Sequence, residues 1–257
     1  MILLSMKQVR FELSELPYRT LARFGLTQEM IEDLPMHVLE DLCQGRHSPV
    51  LPIRVAGEGN ETFLSRTRIS FIKKEDGQTD VVFYPVLKSS PLERYNETEQ
   101  KQLLAGKTII AGIETSDGRH SKAFVQIDLE TKQVLSVPTP VLGRNLQVIA
   151  EEMHLSSTEL KGLQLGEPLT LAVDEQPITV GIDLNERTGI RFCSGDGQQW
   201  KERTKREWDK YTFGVYGCWV MDDEGNLDYV PEEEYTEELW NEQKKSAERN
   251  RSAAIHK

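Results

Sequence analysis

The chain has 257 residues, 38% of them hydrophobic and 28% charged, which is enough for one large domain or two small ones with their own cores. Its formal net charge of −11 disfavours general binding to nucleic-acid phosphates, which depends on Lys and Arg. The three cysteines lie far apart without CxxC spacing, as is typical of a reducing compartment. Without a membrane-length apolar run or a secretory signal, the sequence predicts a cytoplasmic protein with no membrane partner.

Helix signals are dense before residue 45. Pro17 suits the first turn of a helix, and Gly25 can take the left-handed conformation that ends one. Thr27 is a candidate N-cap for a second short helix. Pro35 then separates this helix from a third, which is expected to end near Gly45.

Residues 98–106 and 158–166 carry the same helix-and-glycine pattern. Thr, Glu, Lys, Leu and Gly recur in the two segments at the same spacing. Asn96 and Ser156 stand where N-caps would, with Glu99 and Glu159 as their reciprocal partners. The strand segment at residues 127–130 also returns, at residues 182–185. This self-similarity predicts a duplicated scaffold.

A weaker first copy is expected near residues 42–84. Leu42 and Gly45 repeat the helix end, and two apolar strands flank the turn former Asp76-Gly77. Pro52 places the preceding strand at a sheet edge. We therefore predict an α+β fold in which short helices pack on antiparallel β-hairpins. About three degenerate helix–Gly–strand–hairpin units would be followed by a C-terminal hairpin and a helix.

Composition suggests three segments. They are an N-terminal helical and hairpin unit (1–93), duplicated helix–Gly–hairpin repeats (94–197) and an aromatic, charged C-terminal segment (198–257). Pro138-Thr139-Pro140 breaks the chain between the second and third copies. In the last segment, Pro231 is expected to open a helix that is acidic at its start and basic at its end, as the helix dipole favours.

The repeated aspartates, Asp128 and Asp183, are the obvious carboxylate pair. They would supply an acid and a base, or ligands for a hard metal. Because both fall on the polar side of an alternating strand beside a turn, we favour a solvent-facing structural role. Cys193 and Cys218 are interpreted as small buried hydrophobes. The sequence predicts no catalytic residues, no cofactor and no metal site.

The best candidate interaction surface lies between residues 200 and 211, where cations alternate with aromatics. Its members are Trp200, Lys201, Arg203, Lys205, Arg206, Trp208, Lys210 and Tyr211. Such a segment could contact phosphates and stack on bases. Alternatively, Trp200, Trp208 and Tyr211 share one helical face with Thr204 and form a buried stripe.

The N-terminal segment resembles an uncharacterised Bacteroidetes domain family. The resemblance is carried by Leu16-Pro17-Tyr18, Leu21, Phe24-Gly25-Leu26-Thr27 and Glu29. The helix–Gly–hairpin pattern is similar to a companion domain of unknown function from the same proteins, and the two likenesses together cover about residues 14–195. The resemblance implies a bacterial setting on a mobile genetic element, such as a conjugative transposon. It implies no catalytic residues.

Three hypotheses follow. The first is a non-enzymatic protein–protein interaction or adaptor protein, which the repeats favour. The second is a nucleic-acid-binding accessory factor that uses residues 200–211. The third is an enzyme whose site is assembled only by the fold.

Overall fold

Every sheet in the described part of the chain is built from three strands that follow one another in sequence. The computed structural model describes residues 11–57, 61–114, 118, 120–173, 176–201 and 209–255. Within these ranges the strands form four antiparallel sheets, ordered β1-β2-β3, β4-β5-β6, β7-β8-β9 and β10-β11-β12. The strands are β1 (Leu51–Ala56), β2 (Thr62–Lys73), β3 (Thr79–Pro85), β4 (Ile109–Glu114), β5 (His120–Ile127), β6 (Val134–Pro138), β7 (Leu169–Val173), β8 (Gln176–Ile182), β9 (Ile190–Ser194), β10 (Tyr211–Phe213), β11 (Gly217–Met221) and β12 (Leu227–Pro231).

Mostly short helices separate the sheets, which confirms the predicted α+β class. In the described residues these helices are α1 (Tyr18–Ala22), α2 (Gln28–Glu32), α3 (Met36–Cys43), α4 (Glu97–Leu104), α5 (Thr139–Glu152), α6 (Ser157–Gln164), α7 (Gly197–Lys201) and α8 (Glu237–Ile255). Short 3-10 turns occupy Leu13–Glu15 and Glu232–Glu234. The predicted N-cap is present, because the Thr27 hydroxyl accepts a hydrogen bond from the Met30 amide at 3.2 Å.

The three predicted repeat units are present. Helices α3, α4 and α6 each lead through a glycine with positive φ into a three-stranded sheet; these glycines are Gly45, Gly106 and Gly166. Both predicted capping boxes form, since each N-cap side chain accepts from the third helical amide and each Glu accepts from the N-cap amide. These local bonds fix where α4 and α6 begin.

The predicted C-terminal hairpin is part of a fourth three-stranded sheet. Strands β11 and β12 pair in the same register as β5 and β6. In each of these sheets, the third strand ends in a proline. Ala123 pairs with Pro138 in one sheet, and Gly217 pairs with Pro231 in the other. An aspartate follows the middle strand in both, Asp128 and Asp222 respectively. The aligned positions thus extend the repeated hairpin pattern to the last sheet.

One helix was not predicted, and one predicted helix boundary was wrong. The segment around Pro138 is not simply a break, because α5 begins at Thr139 and buries one apolar face. Pro140 lies in its first turn, where a missing amide hydrogen is tolerated. Pro231 does not open the last helix, because it is the final residue of β12. Instead, α8 begins after Thr236, whose carbonyl accepts from the Trp240 amide at 3.0 Å.

The described residues divide into two compact units. We call 44–47 with 84–201 the central unit, and 11–43, 48–83 and 209–255 the terminal unit. The terminal unit has one core, which joins N-terminal helices, the first sheet and the last sheet. Its fully buried members include Phe11, Leu21, Ile69, Phe71 and Trp219. The three sequence segments 1–93, 94–197 and 198–257 stay a prediction.

In the central unit, the polar side of the middle strand β5 is an internal contact. Gln126 is buried, and its side-chain oxygen accepts a hydrogen bond from the Leu184 amide at 2.7 Å. Phe124 of the second copy shares a core with Leu163 and Val180 of the third. The second and third copies therefore pack on each other through both apolar and polar contacts.

Candidate functional site

Asp128 and Asp183 are buried, so the expectation that they face solvent was wrong. Only 3% and 5% of their surfaces are exposed. The Thr131 hydroxyl donates to Asp128 at 2.7 Å, and the Asn185 amide donates to Asp183 at 3.1 Å. Both carboxylates therefore brace the turn that follows their strand.

Trp200, the first member of the predicted interaction surface, packs against the central unit. The Arg191 guanidinium lies 3.7 Å from the centre of its ring and donates to its carbonyl at 2.7 Å. Asp183 lies 3.2 Å from the same guanidinium. A Cβ added to Gly181 would come within 2.7 Å of the Trp200 ring, so the ring rests directly on β8. Both the ring face and the backbone carbonyl of Trp200 therefore make contacts within the central unit.

The last members of that surface belong to the terminal unit. Tyr211 lies in strand β10, so it does not share a helical face with Trp200, and that interpretation was wrong. Its hydroxyl donates to Glu238 at 2.9 Å, and this bond, then burial, raises the pKa of the Tyr211 hydroxyl. The Lys210 ammonium lies 5.3 Å from the centre of the Tyr211 ring. Lys201 ends helix α7 in the central unit. Arg203, Lys205, Arg206 and Trp208, with Thr204, lie outside the described residues, and the surface as a whole stays a prediction.

Cys193 also differs from the sequence interpretation. It is only half-buried, because strand β9 lies at the edge of its sheet. Cys218 is fully buried in β11, and burial raises the pKa of its thiol to about 12. Such a thiol stays protonated at neutral pH and is a poor nucleophile.

A short loop between β10 and β11 exposes two side chains that the sequence analysis did not single out. Val215 is 79% exposed and Tyr216 is 43% exposed. The loop backbone is held from below by Asp33, which is only 4% exposed. Its carboxylate accepts hydrogen bonds from the Val215 amide at 2.6 Å and from the Tyr216 amide at 3.0 Å. An apolar loop is thus fixed in place by a buried charge.

Two further contacts complete the support of this loop. The Tyr229 hydroxyl donates to Asp33 at 2.7 Å, and the Trp219 indole donates to the Met30 carbonyl at 3.1 Å. Gly214 passes so close to Asp33 that an added Cβ would clash with the carboxyl group. Burial, followed by the hydrogen bond and charge of Asp33, raises the pKa of Tyr229. Tyr229 therefore stays protonated and keeps donating.

Acidic residues surround the exposed loop. Tyr216 lines a shallow depression together with Thr27, Gln28, Glu29 and Glu32 of the α2 region. The Tyr216 carbonyl also accepts a hydrogen bond from the Glu232 amide at 3.0 Å. Glu232 begins the acidic turn Glu232–Glu234, whose side chains are exposed. We call Val215, Tyr216 and these flanking glutamates the acidic-rimmed loop.

The sequence held a weak signal for this loop. Val215 and Tyr216 lie between Gly214 and Gly217, and apolar residues between glycines are typical of a tight exposed turn. Nothing local pointed to Asp33, because its partners lie 182 to 196 positions further along the chain.

Comparison with known proteins adds one finding. Residues 11–95 match a family model described as "Protein of unknown function (DUF4099)". The match includes Asp33 and the α2 side of the acidic-rimmed loop, but not Val215 and Tyr216. Searches of curated proteins and of solved structures found no match.

The described residues contain neither a metal-binding cluster nor a membrane-spanning helix. In those ranges, no three His, Cys, Asp or Glu side chains are grouped so that they could hold a metal ion. The helices described are too short or too polar to cross a membrane.

Proposed function

We propose that this chain is a non-enzymatic protein–protein interaction protein, and that the acidic-rimmed loop is its contact surface. The observation that carries the proposal is the exposed Val215-Tyr216 pair above the buried Asp33 carboxylate. Single exposed apolar residues are common on proteins. Here, a buried carboxylate also fixes the backbone that presents them.

Such fixing favours binding for a physical reason. Ordering a flexible loop on association costs free energy, and a loop ordered beforehand avoids that cost. Tyrosine is also among the residues enriched where binding energy concentrates. The β1–β2 hairpin exposes Phe63 and Leu64 as well, but no comparable buried group fixes their backbone among the described contacts.

We also propose that the protein acts in a bacterial mobile element of the Bacteroidetes. This part rests on the resemblance carried by residues 16–29, which lies inside the region matched as a domain of unknown function. On this proposal, the protein partner would be another protein encoded by the mobile element or by its bacterial host.

Site-specific photo-crosslinking in the native host tests the contact surface. A benzophenone amino acid replaces Tyr216, and a matched control carries it at Leu165, which is 58% exposed in the central unit. We expect a discrete crosslinked protein from position 216 that is absent from position 165. Val215→Asp in the same chain should remove the product. Equal patterns at the two positions, or no product at 216, would contradict the proposal.

The alternative of nucleic-acid binding by residues 200–211 keeps its own test. The Trp200 ring is stacked against Arg191, so a base stacking on that face would have to displace this contact. The test is a salt titration of DNA and RNA binding with Lys205→Glu/Arg206→Glu. Lys101→Glu/Lys107→Glu, which changes two exposed lysines, is the charge-matched control. This alternative would be supported if only the first variant lost binding to DNA or RNA. It would also be supported if wild-type binding weakened as the salt concentration rose.

A further inference from the structure

The acidic-rimmed loop carries five glutamates from two separate parts of the chain. Glu29 and Glu32 come from α2, and the other three form the turn Glu232–Glu234. All five are exposed or half-exposed, so they can meet a partner. Both acidic groups adjoin Tyr216, because Glu29 and Glu32 line the same depression as Tyr216 and the Glu232 amide donates to the Tyr216 carbonyl.

This negative charge is not neutralised within the described part of the chain. In those ranges, no Lys, Arg or His side chain forms an ion pair with any of the five glutamates or with Asp33. The donors to Asp33 are two amides and one phenol, all of them uncharged. Within the described ranges, the Asp33 carboxylate is therefore hydrogen-bonded beneath the loop without a cationic partner.

Carboxylates of this surface also contribute to the raised pKa values of two neighbouring tyrosines, Tyr229 and Tyr235. The pKa of Tyr229 is raised first by burial and then by Asp33 and Glu29. The pKa of Tyr235 is raised first by burial and then by nearby groups that include Glu232 and Asp33. The carboxylates of this surface therefore contribute, after burial, to the raised pKa of both phenols.

An apolar centre with an uncompensated acidic rim selects a partner of opposite charge. A lysine or arginine can lay its aliphatic stem and its cationic head against the Tyr216 ring while it reaches a glutamate. An adjacent apolar side chain would cover Val215. Nucleic acids, whose phosphates are negative, would be repelled.

We propose that the acidic-rimmed loop binds a basic segment of a partner protein, in which a Lys or Arg stands beside an apolar residue. This inference rests on the function proposed above, because it names the chemistry of the partner for that same surface.

The test uses defined probes and the full chain. Random dodecapeptides displayed on phage are selected on the wild-type protein, after depletion on Val215→Asp/Tyr216→Asp. The surviving peptides are synthesised, and their affinity is measured by fluorescence anisotropy at low and at moderate salt. Both side chains exchanged in this variant are exposed, and circular dichroism is used to check that it is folded.

We expect survivors in which Lys or Arg adjoins an apolar residue, with affinity that falls as salt rises. Glu29→Lys/Glu32→Lys should weaken their binding about tenfold or more, since close opposite charges give way to like charges. Asp223→Lys/Glu224→Lys makes the same change in charge at the exposed β11–β12 turn of the same unit. This control should change affinity less than about twofold.

The outcomes separate the two proposals. Survivors without basic residues, or equal losses in the two Lys variants, would overturn the basic-segment inference and leave the contact surface standing. If no peptide distinguishes the wild type from Val215→Asp/Tyr216→Asp, both the inference and the proposed contact surface fall.

Discussion

The two units of this protein use buried aspartates over very different distances. In the central unit, Asp128 accepts hydrogen bonds from residues two and three positions further along the chain. In the terminal unit, Asp33 accepts from residues 182, 183 and 196 positions away. The first carboxylate closes a hairpin turn. The second joins opposite ends of the chain and fixes the loop proposed to bind a partner.

This difference teaches that burial alone does not tell what a carboxylate does. A local carboxylate stabilises a turn that its own sequence already favours. A long-range carboxylate stabilises a contact that is formed only after a large loop has closed, at a cost in chain entropy. We therefore expect the two kinds of aspartate to respond differently to substitution.

Removal of Asp33 should have the largest effect. Asp33→Ala leaves two part-buried amides and the Tyr229 hydroxyl without their acceptor, so we expect a loss of about 3 kcal/mol of stability in the terminal unit. Asp128→Ala should cost about 2 kcal/mol, confined to the β5–β6 turn. Hydrogen exchange measured by mass spectrometry resolves the two units. Equal and global effects of the two substitutions would break the comparison.

Crowding of Asp33 should have the next largest effect. A Cβ on Gly214 would overlap the Asp33 carboxyl group, so Gly214→Ala should destabilise the terminal unit by about 2 kcal/mol. Gly143 in α5 is a matched control, because an added Cβ there meets nothing within 4 Å. Gly143→Ala should stabilise its helix by about 0.5 kcal/mol. Chemical denaturation with exchange readout measures both, and an unchanged Gly214→Ala protein would contradict the close approach.

Two hydroxyl deletions sharpen the comparison further. Tyr229→Phe and Thr131→Val each remove one hydroxyl that donates to a buried aspartate at 2.7 Å. Each should cost about 1 kcal/mol. In Tyr229→Phe, exchange should quicken at the Val215 and Tyr216 amides, which share the Asp33 carboxylate with Tyr229, whereas in Thr131→Val it should quicken only near the β5–β6 turn. Unchanged exchange at these two amides in Tyr229→Phe would mean that the donors to Asp33 do not depend on one another.

The smallest expected effect is on pH dependence. The folded protein raises the pKa of Tyr229, so the protonated phenol is favoured by folding. This contribution is fully present below the ordinary tyrosine pKa of about 10 and is lost as the pH rises above it. Between pH 9 and pH 11, as approximate limits, the wild type should lose stability more steeply than Tyr229→Phe. Parallel curves would show that Tyr229 does not contribute in this way.

Features defined by neighbouring residues were predictable. The N-cap at Thr27 and both capping boxes depend on side chains within three positions, and all were found where expected. The repeat units followed from the spacing of Leu and Gly, because a glycine with positive φ ends each helix before its sheet. The C-terminal hairpin was predicted, but its additional strand β10 was not, because this sheet lacks the preceding helix-and-glycine signal.

The polar residues were predicted less well. Alternation along β5 indicated a solvent-facing side, but Gln126 and Asp128 are buried against other parts of the central unit. A pattern of polar and apolar residues shows which side chains share a face, not what covers that face. The loop at Val215 was missed for the same reason, since its support comes from Asp33.

The sequence by itself determined the class of fold, the helix caps, the glycine stops and the three clear repeats, because each depends on contacts between residues close in the chain. Only the tertiary structure decided that Trp219 joins the core of the N-terminal helices and that Asp33 fixes the Val215-Tyr216 loop. Such contacts depend on which elements meet after the chain has closed on itself, and that information is spread over the whole fold.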